Sequence, residues 1–158
     1  MKRQMTEEVA LNRAASYCSS AEQCKEDIKI KLKRWGMDDS AIIRIIKELV
    51  SEKYIDEERY CRAYVNDKLH FQKWGRAKIK QGLYQKKLSS DMIEKYVNEI
   101  DEDEYLSILQ GLIQVKRKNT IAKDDFTLNG KLVRFALNRG FEMKYIIRFV
   151  NISGDNSF

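Results

Sequence analysis

The feature that most constrains this chain is a period. Counting from Gly36, apolar residues stand eight before (Ile28), four before (Leu32), six after (Ile42) and ten after (Ile46). The same offsets from Lys87 give Ile79, Leu83, Ile93 and Val97, and from Gly140 they give Leu132, Ala136, Ile146 and Val150. The reference positions are 51 and 53 residues apart, and the residue after each is also apolar: Met37, Leu88 and Phe141. A repeat of this length, with apolar spacings of three and four, predicts stacked helical units.

Each copy reads as a helix, a tight turn and a second helix. Proline is absent. Gly36 and Gly140 are natural left-handed stops for the first helix of each pair, whereas Lys87 must take the same corner without glycine's freedom. Asp39 or Ser40, and Ser89 or Ser90, can cap the helix that follows. A further helix precedes each pair. The first is expected over Glu7 to Tyr17, with Val9, Ala10, Ala14 and Tyr17 inward; Ser20-Ala21-Glu22-Gln23 then has the pattern of a capping box. The second runs over Glu57 to Leu69 behind Asp56, with Tyr60, Cys61, Tyr64, Val65 and Leu69 inward. The third uses Tyr105, Leu106, Ile108, Leu109, Leu112, Ile113 and Val115, followed by a polar connection from Lys116 to Thr127.

The expected fold is therefore all-α: a tandem array of three three-helix units, about nine helices, elongated or curved, with units at 5–54, 55–100 and 104–152. Units this small are marginal alone, so they must share apolar faces by stacking. Such an array is expected to be a monomer. Residues Ser153 to Phe158 lack periodicity and are expected to fray.

Motifs for chemistry are sparse. There is no phosphate loop of the G-x-x-x-x-G-K-[ST] kind, no G-x-G-x-x-G and no H-E-x-x-H. The three cysteines, Cys18, Cys24 and Cys61, lack metal-finger spacing and fall among apolar residues, as buried reduced thiols do. The single histidine, His70, is placed at a core edge or on the surface. Asp56-Glu57-Glu58 suits the start of a helix without a metal. No metal and no cofactor is implied, and the chain is not expected to be an enzyme. No stretch reaches the roughly twenty apolar residues that span a bilayer, and the basic start Met1-Lys2-Arg3 meets acids instead of an apolar run, so the cytoplasm is the expected location and no membrane partner is expected.

Charge is the stronger functional signal. The formal net charge is +6, and the signs are segregated. From Lys68 to Lys87 there are seven basic residues and no acid; Lys116, Arg117, Lys118 and Lys123 form a second acid-free cluster, opposed by Asp101-Glu102-Asp103-Glu104. Lys25, Lys29 and Lys33 recur every four residues and should form one stripe. Arg76 and Lys80 repeat it beside Ile79 and Leu83, and Lys131, Arg134 and Arg139 belong to the third pair. A solvated basic face is the plain alternative. Trp35 is expected to pack at the end of a unit; Trp74 is open between packing and stacking on an unpaired base.

At these residues the chain resembles the RecX family, modulators of the bacterial RecA recombinase. The resemblance rests on Ser20-Ala21-Glu22-Gln23 through Lys31-Leu32-Lys33-Arg34-Trp35-Gly36, on Tyr54-Ile55-Asp56-Glu57-Glu58-Arg59-Tyr60 continuing through Trp74-Gly75-Arg76-Ala77-Lys78-Ile79 to Lys86-Lys87-Leu88, and on Arg134-Phe135-Ala136-Leu137-Asn138-Arg139-Gly140-Phe141. It implies nine helices in three tandem units and a non-enzymatic regulator that binds the RecA filament on single-stranded DNA. Such a regulator typically inhibits strand exchange, ATPase and coprotease activity in recombination, repair and the SOS response. Arg76 and Arg139 match basic positions of the family pattern and are the first candidates for contact with RecA or DNA. Lys29, Lys33, Arg34, Lys73, Lys80, Lys86, Lys87 and Arg134 are supporting candidates. A general DNA-binding helical protein and a protein-binding adaptor without a recombinase partner remain the alternative readings.

Overall fold

The computed structural model describes residues 5–151, among which there are nine helices and no strand. They are α1 (Glu7–Ser20), α2 (Lys25–Arg34), α3 (Asp39–Ser51), α4 (Glu57–His70), α5 (Arg76–Gln85), α6 (Ser90–Asn98), α7 (Glu102–Lys118), α8 (Asp125–Asn138) and α9 (Met143–Ile146). α1, α2 and α3 pack on one another, as do α4, α5 and α6; α8 joins α7 and α9. The basic start and the stretch from Ser153 to Phe158 lie outside the described residues, as does Ile152 at the expected end of the third unit.

The three turns use one hydrogen-bond pattern. Gly36, Lys87 and Gly140 stand at φ +89°, +61° and +97°. In each, the left-handed residue donates to the carbonyl three back, at 3.0, 2.9 and 2.9 Å for Lys33, Tyr84 and Leu137. The next amide donates five back: Met37 to Leu32, Leu88 to Leu83 and Phe141 to Ala136. This closure satisfies the orphaned carbonyls of a helix end and packs an apolar side chain back on the last turn, which explains the apolar residue after every turn position. Lys87 bears a conformational cost of about 1 kcal/mol that glycine avoids. Of the twelve recurrent positions all are buried except Ile46, which is half-buried.

Side-chain caps start most of the helices. Thr6, Asp38, Asp56, Ser89, Asp101 and Asp124 each accept from the amide three residues on. Two expected caps lie elsewhere. α3 is capped by Asp38 rather than Asp39 or Ser40. The Ser20-to-Gln23 capping box does not form, because α1 runs on through Ser20, whose Oγ donates to the Tyr17 carbonyl at 2.9 Å. Cys24 caps α2 instead, its thiol accepting from the Asp27 amide while Asp27 accepts from the Cys24 amide.

The inward face of α1 also differs from expectation. Ala10, Ala14 and Cys18, four residues apart, form the buried line, which turns Val9 and Tyr17 outward. Val115 is likewise exposed. α9 is a single helical turn, yet the bonds that continue it to Val150 bury both Ile146 and Val150.

Two cores result. One is made within α1–α3 and Ile55; the other runs continuously through α4–α9 and takes in Cys24. The junction between α4–α6 and α7–α9 is tight because two glycines meet. The Gly75 amide donates to the Arg139 carbonyl at 2.7 Å, and the Ala77 amide donates to the Gly140 carbonyl at 3.1 Å. A Cβ on Gly75 would stand 2.3 Å from the Gly140 backbone.

Gly75→Ala should therefore cost about 2 to 4 kcal/mol, since backbone must move to admit a methyl group. Gly111→Ala, on α7 with no atom within 4 Å of the added carbon, should stabilise by about 0.5 to 1 kcal/mol. Urea denaturation of both variants reads the difference; equal midpoints would contradict the junction geometry.

Candidate functional site

The amide ends of α2 and α5 need acceptors, and in both cases a succeeding helix supplies one. Gly75 offers no side-chain cap to α5. The Arg76 amide instead donates to the Tyr105 hydroxyl of α7 at 2.9 Å, and that hydroxyl donates to Glu142. The Arg76 guanidinium closes the knot, 3.0 Å from Glu142 and 4.0 Å from the Tyr105 ring centre. At α2 the Lys25 amide donates to the Glu57 carboxylate of α4 at 3.1 Å.

This arrangement assigns several of the basic candidates to the molecule's own joints. Arg76 has a side chain only 16% exposed and links α5 to α9. Lys86 pairs with Asp27 at 2.7 Å and Lys87 with Glu26 at 3.8 Å, so the second turn is clamped to the first turn of α2. Lys80 pairs with Glu94 at 3.1 Å within its own helix pair. Arg139 donates to the Gln72 carbonyl at 2.7 Å, and Lys73 to the His70 carbonyl at 3.4 Å. The side chains of Lys29, Lys33, Arg34 and Arg134 take no hydrogen bond or ion pair among the described residues. Lys29 and Lys33 stand one turn apart on α2, and Lys33 and Arg34 are exposed at its C-terminal end.

Both tryptophans are half-buried against a core. Trp35 stacks on Tyr17 with ring centres 5.9 Å apart, as expected of a residue that seals a unit. The ammonium groups of Lys68 and Lys78 both approach the Trp74 ring, at 4.8 and 4.6 Å from its centre. His70 sits 3.2 Å from Glu104.

Two open clefts collect cations over apolar floors. The first, about 610 Å³, lies between α2, α3 and the second turn; Ile42, Ile43, Ile46 and Val50 form the floor, and Lys25, Lys29, Lys47, Lys86 and Lys87 the rim, with Glu26 and Glu57. The second, about 670 Å³, lies between α7 and α8; it holds Ile108, Leu112, Val115 and Phe135, with Lys73, Lys116 and Arg139 and no acid. Lys116 and Arg139 both cover the Phe135 ring, at 4.9 and 5.3 Å. The sequence singles out the basic residues of both clefts except Lys47, and reads Ile42, Ile46, Ile108, Leu112 and Val115 as core; it does not single out Ile43 and Val50 as an exposed floor. Ile43 and Val50 are seven residues apart, the spacing of a second stripe on α3, and that was the available signal.

The buried polar groups are strongly perturbed. Burial pushes the Cys24 thiol up to about 12 and the Cys61 thiol up to about 11, and raises Cys18. Burial, with the Cys24 thiol beside it, pushes the Tyr60 hydroxyl up. Burial would raise Asp27, but hydrogen bonds from Lys86 and Cys24 and the Lys86 charge outweigh it and hold the carboxyl below its ordinary range. Among the described residues, no three His, Cys, Asp or Glu side chains are grouped to hold a metal, and no helix is long and apolar enough to cross a membrane.

A family model described as the second three-helix domain of RecX matches residues 56–96, which are α4–α6 with the Asp56 cap. The regulatory protein RecX of Clostridium botulinum (strain Eklund 17B) is 33% identical over 121 residues, covering 74% of this chain and 55% of that protein. The regulatory protein RecX of Clostridium acetobutylicum is 26% identical over 142 residues, covering 87% of this chain and 65% of that protein. A crystal structure of regulatory protein RecX superposes with a TM-score of 0.83 at 20% identity, over 90% of this chain and 72% of that one. The chain belongs to the RecX family. It spans between 55 and 65% of the length of these two RecX relatives. Within the RecX match at 56–96 fall both Arg76 and the Lys86–Lys87 turn, so the matched segment carries the joints on either side of α4–α6.

Two measurements test the buried groups of this RecX-family chain. At pH 8 the folded protein should leave all three thiols unreactive toward a disulfide reagent, and denaturant should expose three; a fast native thiol would contradict their burial. Lys86→Met should cost on the order of 1 kcal/mol at neutral pH, since the pair is only partly shielded. Because folded Asp27 titrates below its unfolded value, its pairing contributes fully above the ordinary carboxylate range and is lost as pH falls through the lowered value. The gap between wild type and variant should thus close below about pH 4. A gap constant down to pH 2 would refute the assignment.

Proposed function

We propose that this chain is a non-enzymatic cytoplasmic regulator that binds the RecA filament on single-stranded DNA and inhibits its recombinase, ATPase and coprotease activities. The reading treats 5–54, 55–100 and 104–152 as three units of one array. Its chief support is family membership, and the structure adds a division of labour among the cations. Arg76, Lys80, Lys86 and Lys87 are paired with acids inside the molecule. Lys29, Lys33, Arg34 and Arg134 are available for phosphates or for a partner's carboxylates. An array of units can reach successive subunits of a helical filament, so that weak contacts add through linkage. The surface cations bring it to the DNA and set orientation more than affinity.

A direct nucleic-acid reading without a recombinase has one observation in its favour, the acid-free cleft in which two cations approach the Phe135 ring. The two readings separate in one assay. The chain is titrated onto single-stranded DNA, bare or coated with ATP-activated RecA from the same organism, at physiological salt. Markedly tighter binding to the filament, with loss of its ATPase or strand exchange, is the expected outcome; equal binding to both would favour the general DNA-binding reading.

Lys33→Glu with Arg34→Glu should weaken filament binding about tenfold or more without loss of helicity, since both side chains are exposed and neither has a partner. Arg76→Glu is a different experiment. It sets a carboxylate against Glu142 in a shielded site and should destabilise the fold by about 3 kcal/mol. Unchanged binding by a folded Lys33/Arg34 double variant would remove these two residues from the contact surface.

A further inference from the structure

α3 and α6 occupy equivalent places, 51 residues apart, and their outer faces differ. Where α6 has Glu94, paired with Lys80 at 3.1 Å, α3 has Ile43. Where the second copy has Asn98 and Asp101, the first has Lys47 and Val50. The α6 face is thus polar, with Glu94 paired inside the molecule. The α3 face is apolar and open: Ile43 is 68% exposed and Val50 39%, with half-buried Ile46 between them. A helix with one apolar stripe in the core and a second facing water is incomplete until something covers the second.

The cleft around that stripe specifies what covers it. Five lysines stand on the rim against two acids. Both acids are already engaged, Glu26 by Lys87 at 3.8 Å, and Glu57 by the Lys25 amide at 3.1 Å and its ammonium at 3.9 Å. Lys29 and Lys47 are left without partners among the described residues. The excess charge asks for carboxylates or phosphates. The floor decides between them, because it is aliphatic and β-branched, with no aromatic ring for a base to stack on. The stripe from Ile43 to Val50 extends about 10 Å, two turns of a helix lying alongside it.

We propose that the α2/α3 cleft is the docking site for an amphipathic helix of the partner protein, its apolar stripe seated on Ile43, Ile46 and Val50 and its flanking carboxylates meeting Lys29 and Lys47. This rests on the proposed function in taking the recombinase as the partner. The lysines orient the helix and exclude basic competitors, while the covered isoleucine and valine surface supplies the holding force.

Two double variants test the site, Ile43→Ser with Val50→Ser and Lys29→Glu with Lys47→Glu; circular dichroism and melting confirm that each is folded. Each should weaken binding to the RecA filament about tenfold or more while leaving affinity for bare single-stranded DNA within about twofold. Filament affinity within about twofold of wild type in both variants would overturn the docking site, and a matched loss on bare DNA would reassign the cleft to nucleic acid. A second arm needs no recombinase. An 18-residue helical peptide with leucines at i, i+3, i+4 and i+7 and flanking glutamates should shift the methyl resonances of Ile43, Ile46 and Val50. Its lysine-flanked counterpart should bind only the Lys29→Glu/Lys47→Glu variant. If wild type fails to bind the filament at all, the functional reading falls, and the peptide arm alone decides: shifts confined to those methyls uphold the site, and their absence removes it.

Discussion

The structure depends on how the amide ends of α2 and α5 are satisfied. Each is a second helix of its unit, each begins against the next set of helices, and each takes an acceptor from there: Glu57 for α2 and Tyr105 for α5. A shielded amide left without an acceptor costs the hydrogen bond it cannot make. The start of α5, which has no side-chain cap of its own, is therefore complete only once the next unit has docked, whereas α2 carries its Cys24 cap and gains Glu57 as a further acceptor. Folding of adjacent units is thereby coupled through backbone groups as well as through shared apolar area. The same docking explains why Gly75 must lack a side chain, since the following turn enters the space a Cβ would fill. It explains as well why Arg76 is nearly enclosed although its neighbours in sequence are surface cations.

The fold was legible in the sequence because the repeat marks the turns, and the turns fix everything between them. Closing each corner with the same two backbone bonds forces the residues four and eight before it, and six after it, onto one side, and those are the positions that recur. What could not be read was polar geometry. The cap of α2 was misassigned because serine is the better generic cap and a cysteine thiol a poor one; the thiol takes the role here under burial, beside Tyr60, which an isolated helix would not provide. The facing of Val9 and Tyr17 was missed for a related reason. The alanines of α1 allow close approach, and the buried line follows the small residues rather than the large ones.

The candidate site was legible in composition and illegible in partnership. Counting cations between Lys68 and Lys87 reveals a basic segment but not that Arg76, Lys80, Lys86 and Lys87 face acids supplied from Glu142, Glu94, Asp27 and Glu26. Three of those four acids are far away in sequence, on elements brought near only by the stacking of units. A run of like charge can thus be the mortar of an array as readily as its binding face. Of the candidate cations, those left unpaired among the described residues, Lys29, Lys33, Arg34 and Arg134, lie on α2 and α8, outside the segment from Lys68 to Lys87.

The two junctions are built from different materials, and this bears on what a ligand at the first one could do. α4–α6 and α7–α9 share one continuous apolar core around the meeting glycines, an arrangement that resists reorientation. α1–α3 keeps a core of its own and meets α4–α6 through Cys24 and the pairs Lys86–Asp27, Lys87–Glu26, Lys25–Glu57 and Arg59–Glu22. Partly exposed ion pairs contribute little each and weaken with salt, so the angle at this junction is held more softly than the angle at the other. Three of its lysines, Lys25, Lys86 and Lys87, also form the rim of the α2/α3 cleft. A ligand in that cleft touches both sides of the junction, and its affinity depends on the angle between them. By linkage, it must then favour the angle that it binds best.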